Sequence, residues 1–307
     1  MKERDEEPEE SKIRRSNGGT HQIHDILRGK ILCPLFFENS TRTFSSFCAA
    51  MQKLGGSVSY LPLEASSVSK GESLEDTVRT VDCYSDVICL RHPSQEALSR
   101  ACSVASHPIM NCGNGVGEHP SQSLLDIFTI KQELNTLDGL SIALLGDLKH
   151  GRTVHSLAKL LTLFDIKKLY LISPATLPMP EEVVNFLKSK NIDFEIASSP
   201  TDDILRELDV LYVTRIQKER FATTEEYEAM KGSYIINKAM LDNAQKDRKS
   251  TKKMIVMHPL PRVDEISTDL DDDPRAAYFR QMKYGLHLRM ALFVMCFGKI
   301  GTVWSRS

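Results

Sequence analysis

The segment Phe36-Phe37-Glu38-Asn39-Ser40-Thr41-Arg42-Thr43 puts hydroxyls and a guanidinium where an apolar run gives way to helical spacing. Ser40 or Thr41 suits the cap of a helix starting there, and its first-turn N–H groups and dipole favour an anion. Arg42 adds a fixed charge whose planar fork matches phosphate or carboxylate. On its own the segment reads equally as an ordinary capped helix with one surface Arg. The loop Glu64 to Ser73 is rich in small residues and presents Ser66 and Lys70; alone it is a surface loop. In Gly113 to Gln122, Pro120 suits the first turn of a helix, so His119 and Gln122 project from its start. Gly146 to Thr153 and Thr214 to Arg220 each follow an apolar run and deliver an Arg. His258-Pro259-Leu260-Pro261-Arg262 holds the chain extended and leaves its carbonyls outside any helix. One Arg after a strand is commonly a solvated end. Arg42, Arg91, Arg152 and Arg215 in four such places describe a pocket for multiply anionic small molecules.

These residues need elements to hold them. Apolar runs rich in Val, Ile and Leu recur at 31–37, 87–90, 141–145, 168–172, 210–213 and 254–257. Helical stripes lie between them: Phe44, Phe47, Cys48, Met51 and Leu54; Leu124, Leu125, Phe128 and Leu134; Val154, Leu157, Ala158 and Leu161. Buried strands alternating with helices predict an α/β fold, with parallel sheets covered on both faces. The polar motifs fall at strand ends, where open α/β sheets bind ligands. Residues 1–22 are charged and polar and are expected to form a disordered arm.

Composition narrows the function. The chain has 307 residues, with 39 Lys+Arg against 41 Asp+Glu, and a formal net charge of −2. That balance argues against general attraction to nucleic acid or anionic membrane. No apolar stretch is long enough to span a bilayer, and the acidic start is unlike a signal peptide, so a cytoplasmic location is expected. Seven cysteines without a C-x-x-C pair are expected to be small buried hydrophobes in a reducing compartment, and no His/Cys spacing implies a metal.

Taken together, Ser40-Thr41-Arg42-Thr43, the Ser66 to Glu72 loop, Arg91-His92-Pro93, His119-Pro120-Ser121-Gln122, Gly151-Arg152-Thr153, Arg215-Ile216-Gln217 and His258-Pro259-Leu260-Pro261-Arg262 resemble the aspartate carbamoyltransferases, motif after motif in order. The resemblance runs from about Lys30 to the C-terminus and is nearest the domain found in the multifunctional pyrimidine enzyme of animals. It implies transfer of a carbamoyl group from carbamoyl phosphate to the amine of L-aspartate in pyrimidine biosynthesis. It also implies two α/β lobes with the site between them, no cofactor or metal, and a homotrimer with shared sites. The lobes would be residues 23–134 with 286–307 for carbamoyl phosphate and 135–285 for aspartate. Ser40, Thr41, Arg42, Thr43 and Arg91 would hold the phosphate. Thr43, Arg91 and His119 would donate to the carbamoyl oxygen, and Gln122 would orient the carbamoyl amino group. Ser66 and Lys70 would enter from the neighbouring subunit. Arg152, Arg215 and Gln217 would hold the aspartate carboxylates, with the carbonyls of Leu260 and Pro261 accepting from nitrogen.

One departure stands out. The family normally opens with an amphipathic helix that packs on the C-terminal helix. Here only His24, Ile26 and Leu27 remain of it, so the helix at 286–300 is expected to expose an apolar face. Ornithine carbamoyltransferase shares Ser-Thr-Arg-Thr but typically carries His-Cys-Leu-Pro where this chain has His-Pro-Leu-Pro-Arg. A non-catalytic binding or scaffold homologue is the third reading; retention of every polar site residue argues against it.

Overall fold

The computed structural model describes residues 12–14, 20–63, 66–115, 119–216, 223, 234–248 and 250–299. By its contacts the chain divides into two compact units, Met1–Gly117 with Leu286–Ser307, and Glu118–Gly285.

In the first unit, β3 (Ile31–Phe36), β4 (Ser57–Val58), β5 (Val87–His92) and β6 (Ile109–Asn114) form a parallel sheet in the order β4-β3-β5-β6. Alternate side chains feed two cores, as the pleat requires. Leu32, Val87 and Cys89 join Phe47, Met51 and Leu54 of and just after α1 (Thr41–Lys53), while Cys33, Leu35, Ile88 and Leu90 join α2 (Leu74–Asp82) and α3 (Ala97–Cys102). Within the stretch expected to be an unstructured arm, β1 (Lys12–Arg14) and β2 (Thr20–Gln22) pair antiparallel; the rest of 1–19 lies outside the described residues.

The expected exposed face near the C-terminus is corrected. Ile23, Ile26 and Leu27 pack in the same cluster as Leu286, Met290, Phe293 and Val294, and Phe293 is fully buried with its ring 5.7 Å from that of Phe47. A short segment does what a longer helix was expected to be needed for. Only Met295 remains a large exposed apolar side chain on this stretch among the described residues. The cysteines also depart from expectation: Cys33, Cys89 and Cys112 are buried, but Cys83 and Cys102 are exposed.

In the second unit, β7 (Ser141–Leu145), β8 (Lys168–Ile172), β9 (Phe194–Ala197), β10 (Val210–Val213) and β11 (Ile255–Met257) form a parallel sheet ordered β11-β10-β7-β8-β9. Ile142 and Leu144 face the core shared with α4 (Pro120–Leu134), α5 (Arg152–Leu161) and α6 (Glu181–Ser189). Ala143 and Leu145 face the core shared with α7 (Asp202–Glu207) and α8 (Lys238–Lys246). Helix α4 belongs to this second unit by its contacts. The last helix, α9 (Tyr278–Cys296), starts in the second unit and continues into the first.

Both sheets reverse their order of growth at one place. From β3 the chain moves outward to β4 and then returns to the other side as β5; from β7 it moves to β8 and β9 and returns as β10. The carboxyl ends of β3 and β5, and of β7 and β10, are therefore the switch points at which such sheets leave a crevice.

Candidate active site

The first switch point carries Ser40–Thr43 and Arg91. Phe36 pairs with Arg91 across the sheet, and the Phe37 N–H donates to the Arg91 carbonyl at 2.8 Å, so the turn after β3 is tied to the end of β5. Ser40 occupies the N-cap of α1 without a side-chain capping bond, which corrects the capping role expected of it or Thr41. Thr41 and Arg42 are exposed at the first turn, and Thr43 is buried. Helix N-terminal amides, two cap hydroxyls and the Arg42 charge thus share one end of α1, an arrangement suited to a phosphate. Arg91 is set deeper, its Nη1 donating to the Cys112 carbonyl at 3.1 Å and its Nε 3.4 Å from the Glu38 carboxylate. Burial draws its guanidinium below the ordinary arginine range, and Glu38 opposes this. Gly115 closes the turn behind: at φ +59 a Cβ would lie 1.9 Å from the Pro93 carbonyl oxygen, so only glycine fits.

Ser66 and Lys70 belong to a separate turn. Ser66 caps a 3-10 turn at Ser67–Lys70, accepting from the Val68 N–H and donating to the Leu63 carbonyl. Gly71 ends the turn in the left-handed region, and no residue of the turn is buried. Lys70 is exposed and forms no ion pair among the described residues.

The second unit gathers the remaining residues. His119 is buried at the N-cap of α4, ahead of Pro120, and its backbone N–H donates to Ser156 Oγ at 3.1 Å. Gln122, one turn on, is buried and donates through Nε2 to Asp126 at 2.9 Å. At the second switch point Gly146 stands at φ +122, where a Cβ would meet the Thr214 carbonyl oxygen at 2.2 Å. This close approach brings the loop leading to Arg152 against the one that carries Arg215. The Thr214 N–H bonds the Leu145 carbonyl at 2.8 Å, and both arginines are half-buried. Gln217 lies outside the described residues.

The turn after β11 is held by His258. Its Nδ1 accepts from the Leu260 N–H at 2.8 Å, so the ring proton sits on Nε2 and is donated to Glu265 at 2.6 Å. Burial works to raise the Glu265 carboxyl, but His258 and the Val263 N–H together hold it below the usual carboxylate range. Leu260 stands at φ +56 and precedes a cis peptide to Pro261. Arg262 forks onto Asp271 and reaches the Tyr278 hydroxyl, so this late arginine holds the turn.

Four residues at or beneath the site escaped sequence reasoning: Asp126, Tyr212, Gln281 and Glu265. Asp126 is fully buried and accepts from Gln122, from Gln281 Nε2 at 2.7 Å and from the Tyr212 hydroxyl at 2.9 Å. Burial and Asp126 push the Tyr212 phenol well above its ordinary pKa.

Both halves have recognised counterparts. Residues 6–132 match the carbamoyl-P binding domain, and residues 138–296 the Asp/Orn binding domain, of aspartate/ornithine carbamoyltransferase. The chain belongs to the aspartate/ornithine carbamoyltransferase family. The aspartate carbamoyltransferase catalytic subunit of Methanocaldococcus jannaschii is 50% identical over 268 residues, 87% of this chain and 85% of that protein. The multifunctional protein CAD of Squalus acanthias is 53% identical over 275 residues, 90% of this chain; the chain spans only 12% of that relative's length. Aspartate transcarbamoylase of Trypanosoma cruzi, solved in complex with aspartate and phosphate, superposes with a TM-score of 0.80 at 52% identity, covering 89% of this chain and 83% of that one.

Proposed function

We propose that this chain is an aspartate carbamoyltransferase, joining the carbamoyl group of carbamoyl phosphate to the amine of L-aspartate in pyrimidine biosynthesis. The unprotonated amine attacks the carbamoyl carbon, the new C–N bond forms, and the C–O bond to phosphate breaks as the departing phosphate takes up the amine proton. Thr43, Arg91 and His119 stabilise charge on the carbamoyl oxygen, the role in which placed donors give most. Ser40, Thr41 and Arg42 hold the phosphate as its charge grows. Holding two small substrates in contact supplies much of the remaining acceleration. We assign carbamoyl phosphate to residues 23–134 with 286–307 and aspartate to residues 135–285. The solved relatives support this reading, since the Trypanosoma cruzi enzyme was captured with carbamoyl phosphate, with aspartate and with carbamoyl aspartate.

The observation that carries the choice of aspartate is the delivery of Arg152 and Arg215 to one switch point. Two cations there suit a dicarboxylate, and ornithine would bring its ammonium against them. The test is incubation of the purified protein with carbamoyl phosphate and either amino acid. Carbamoyl aspartate and phosphate should appear in equal amounts, with succinate competing against aspartate. Preferential carbamoylation of ornithine would overturn the assignment. We further propose a cytoplasmic homotrimer in which Ser66 and Lys70 complete the site of a neighbouring copy. Among the described residues no helix is long and apolar enough to cross a membrane.

A further inference from the structure

Asp126 sits at the centre of a buried network behind Gln122, and the reaction described above gives Asp126 itself no role. Its Oδ1 accepts from Gln122 Nε2 at 2.9 Å and from Gln281 Nε2 at 2.7 Å, and its Oδ2 accepts from the Tyr212 hydroxyl at 2.9 Å. The side chains of Thr153 and Gln122 lie beside the Tyr212 phenol. On its far side Gln281 accepts, through Oε1, from the His258 N–H at 3.0 Å. Asp126 and Gln281 are fully buried and Gln122 nearly so, so water is not available to replace a lost partner.

A carboxylate accepts and never donates, whereas a carboxamide does both from opposite ends. A carboxylate at 126 therefore fixes the orientation of each glutamine that touches it. Gln281 must offer its NH2 to Asp126 and is left with Oε1 for the His258 N–H, as observed. By the same logic Gln122 must offer its NH2 inward, and its Oε1 is the atom left for a ligand. A carbamoyl group differs from an acyl group only in its amino nitrogen, which is a donor and needs an acceptor. We propose that Asp126 is a positioning residue that sets the polarity of Gln122, so that the site selects carbamoyl phosphate over acyl phosphates of the same shape. The inference rests on the assignment of Gln122 to the carbamoyl amino group.

The same network explains why an aspartate is held at this depth. With an asparagine in its place, the new NH2 can turn to Gln122 Oε1. The Gln122 amide is then free to reverse and present a donor to a donor. Gln281 donates to the same oxygen and must adjust as well, a cost to stability that every ligand state shares, whereas the reversal of Gln122 falls on one functional group of the substrate.

The probe pair is carbamoyl phosphate and acetyl phosphate, which carries a methyl in place of the amino group. In Asp126→Asn the KM for carbamoyl phosphate should rise about tenfold, the worth of one hydrogen bond in a closed site. The inhibition constant of acetyl phosphate against carbamoyl phosphate should stay within about twofold, because a methyl takes no hydrogen bond. Gln122→Glu sets carboxylate against carboxylate and should bind carbamoyl phosphate poorly. The double variant Gln122→Glu with Asp126→Asn exchanges acid and amide while conserving charge and volume: the introduced asparagine donates to the introduced glutamate, whose second oxygen accepts from the substrate. It should recover most of the preference for carbamoyl over acetyl phosphate. The exchange also serves if Asp126→Asn alone does not fold. A double variant with less preference than either single variant, or an Asp126→Asn protein in which both phosphates weaken equally, would overturn the proposal. Gln122→Met separates the two layers. If it keeps full preference for carbamoyl phosphate, the assignment of Gln122 is wrong; if it loses that preference while Asp126→Asn keeps it, the role of Asp126 is wrong.

Discussion

Arg42 stands exposed at the first turn of α1, outside both cores of its unit. Removing it should leave the fold intact and strip charge stabilisation from the phosphate. Arg42→Ala should lose about a hundredfold or more in kcat, the scale seen when one transition-state donor is removed, with an unchanged circular dichroism spectrum. Near-normal turnover would remove Arg42 from the site. Arg215 makes a different claim, because it is assigned to aspartate alone. Arg215→Ala should raise the KM for aspartate at least about tenfold, the worth of one charge-assisted contact, and move the carbamoyl phosphate KM little. Equal shifts in both KM values would mean that Arg215 holds the protein together and does not read the substrate. The arginines were legible because a charged side chain directly after a buried run is conspicuous. Asp126 was not. It lies in the middle of α4 in what reads as the helix's polar side, and its partners Tyr212 and Gln281 are 86 and 155 residues away.

Elements were legible where both faces are buried. The runs at 141–145, 168–172 and 210–213 coincide with β7, β8 and β10, since a strand covered on both faces is apolar throughout. Strand β6 was missed because its residues, Ile-Met-Asn-Cys-Gly-Asn, turn polar where they approach the site, and β9 because half its edge is exposed. What sequence could not convey is how tightly strand ends are drawn together. Gly146→Ala would force a Cβ against the Thr214 carbonyl at a backbone angle that alanine rarely adopts. It should cost about 2 kcal/mol or more in denaturant unfolding and raise the aspartate KM by moving Arg152 away from Arg215. A Gly146→Ala protein of unchanged stability and KM would refute that coupling. The end of α4 offers a pH test. Burial acts to raise the Glu133 carboxyl, but Arg280 and Lys253 hold it lower overall, and Arg280 grips both of its oxygens at 2.6 and 2.7 Å. A carboxylate depressed in the folded state stabilises it above the ordinary unfolded pKa and loses that contribution as pH falls through the lower, folded value. Glu133→Gln should therefore be about 1–2 kcal/mol less stable than the parent at neutral pH, with the gap closing at acid pH. A gap that stayed constant down to acid pH would assign the loss to packing.

At the scale of the whole molecule, the question is which chain Lys70 serves. Among the described residues its turn is held by local bonds: Ser66 to Val68 and Leu63, Ser69 to Ser66, Gly71 to Val68 and Glu72 to Ser67. The turn buries none of its residues, and Lys70 stands exposed on it without an ion pair among the described residues. An exposed lysine of this kind is suited to reach another copy, in keeping with the homotrimer proposed above. Lys70→Ala and Arg42→Ala chains should each be nearly inactive. If Lys70 acts across an interface, a trimer of both kinds contains a site with native Arg42 from one chain and native Lys70 from the next. Chains mixed after dissociation and reassembled should regain activity, about a quarter of wild type or less by random assortment of two chain types. The same chains mixed without dissociation should regain none. Verified exchange without recovery, or a stable monomer turning over at the full rate, would place Lys70 in its own chain's site and end the shared-site model.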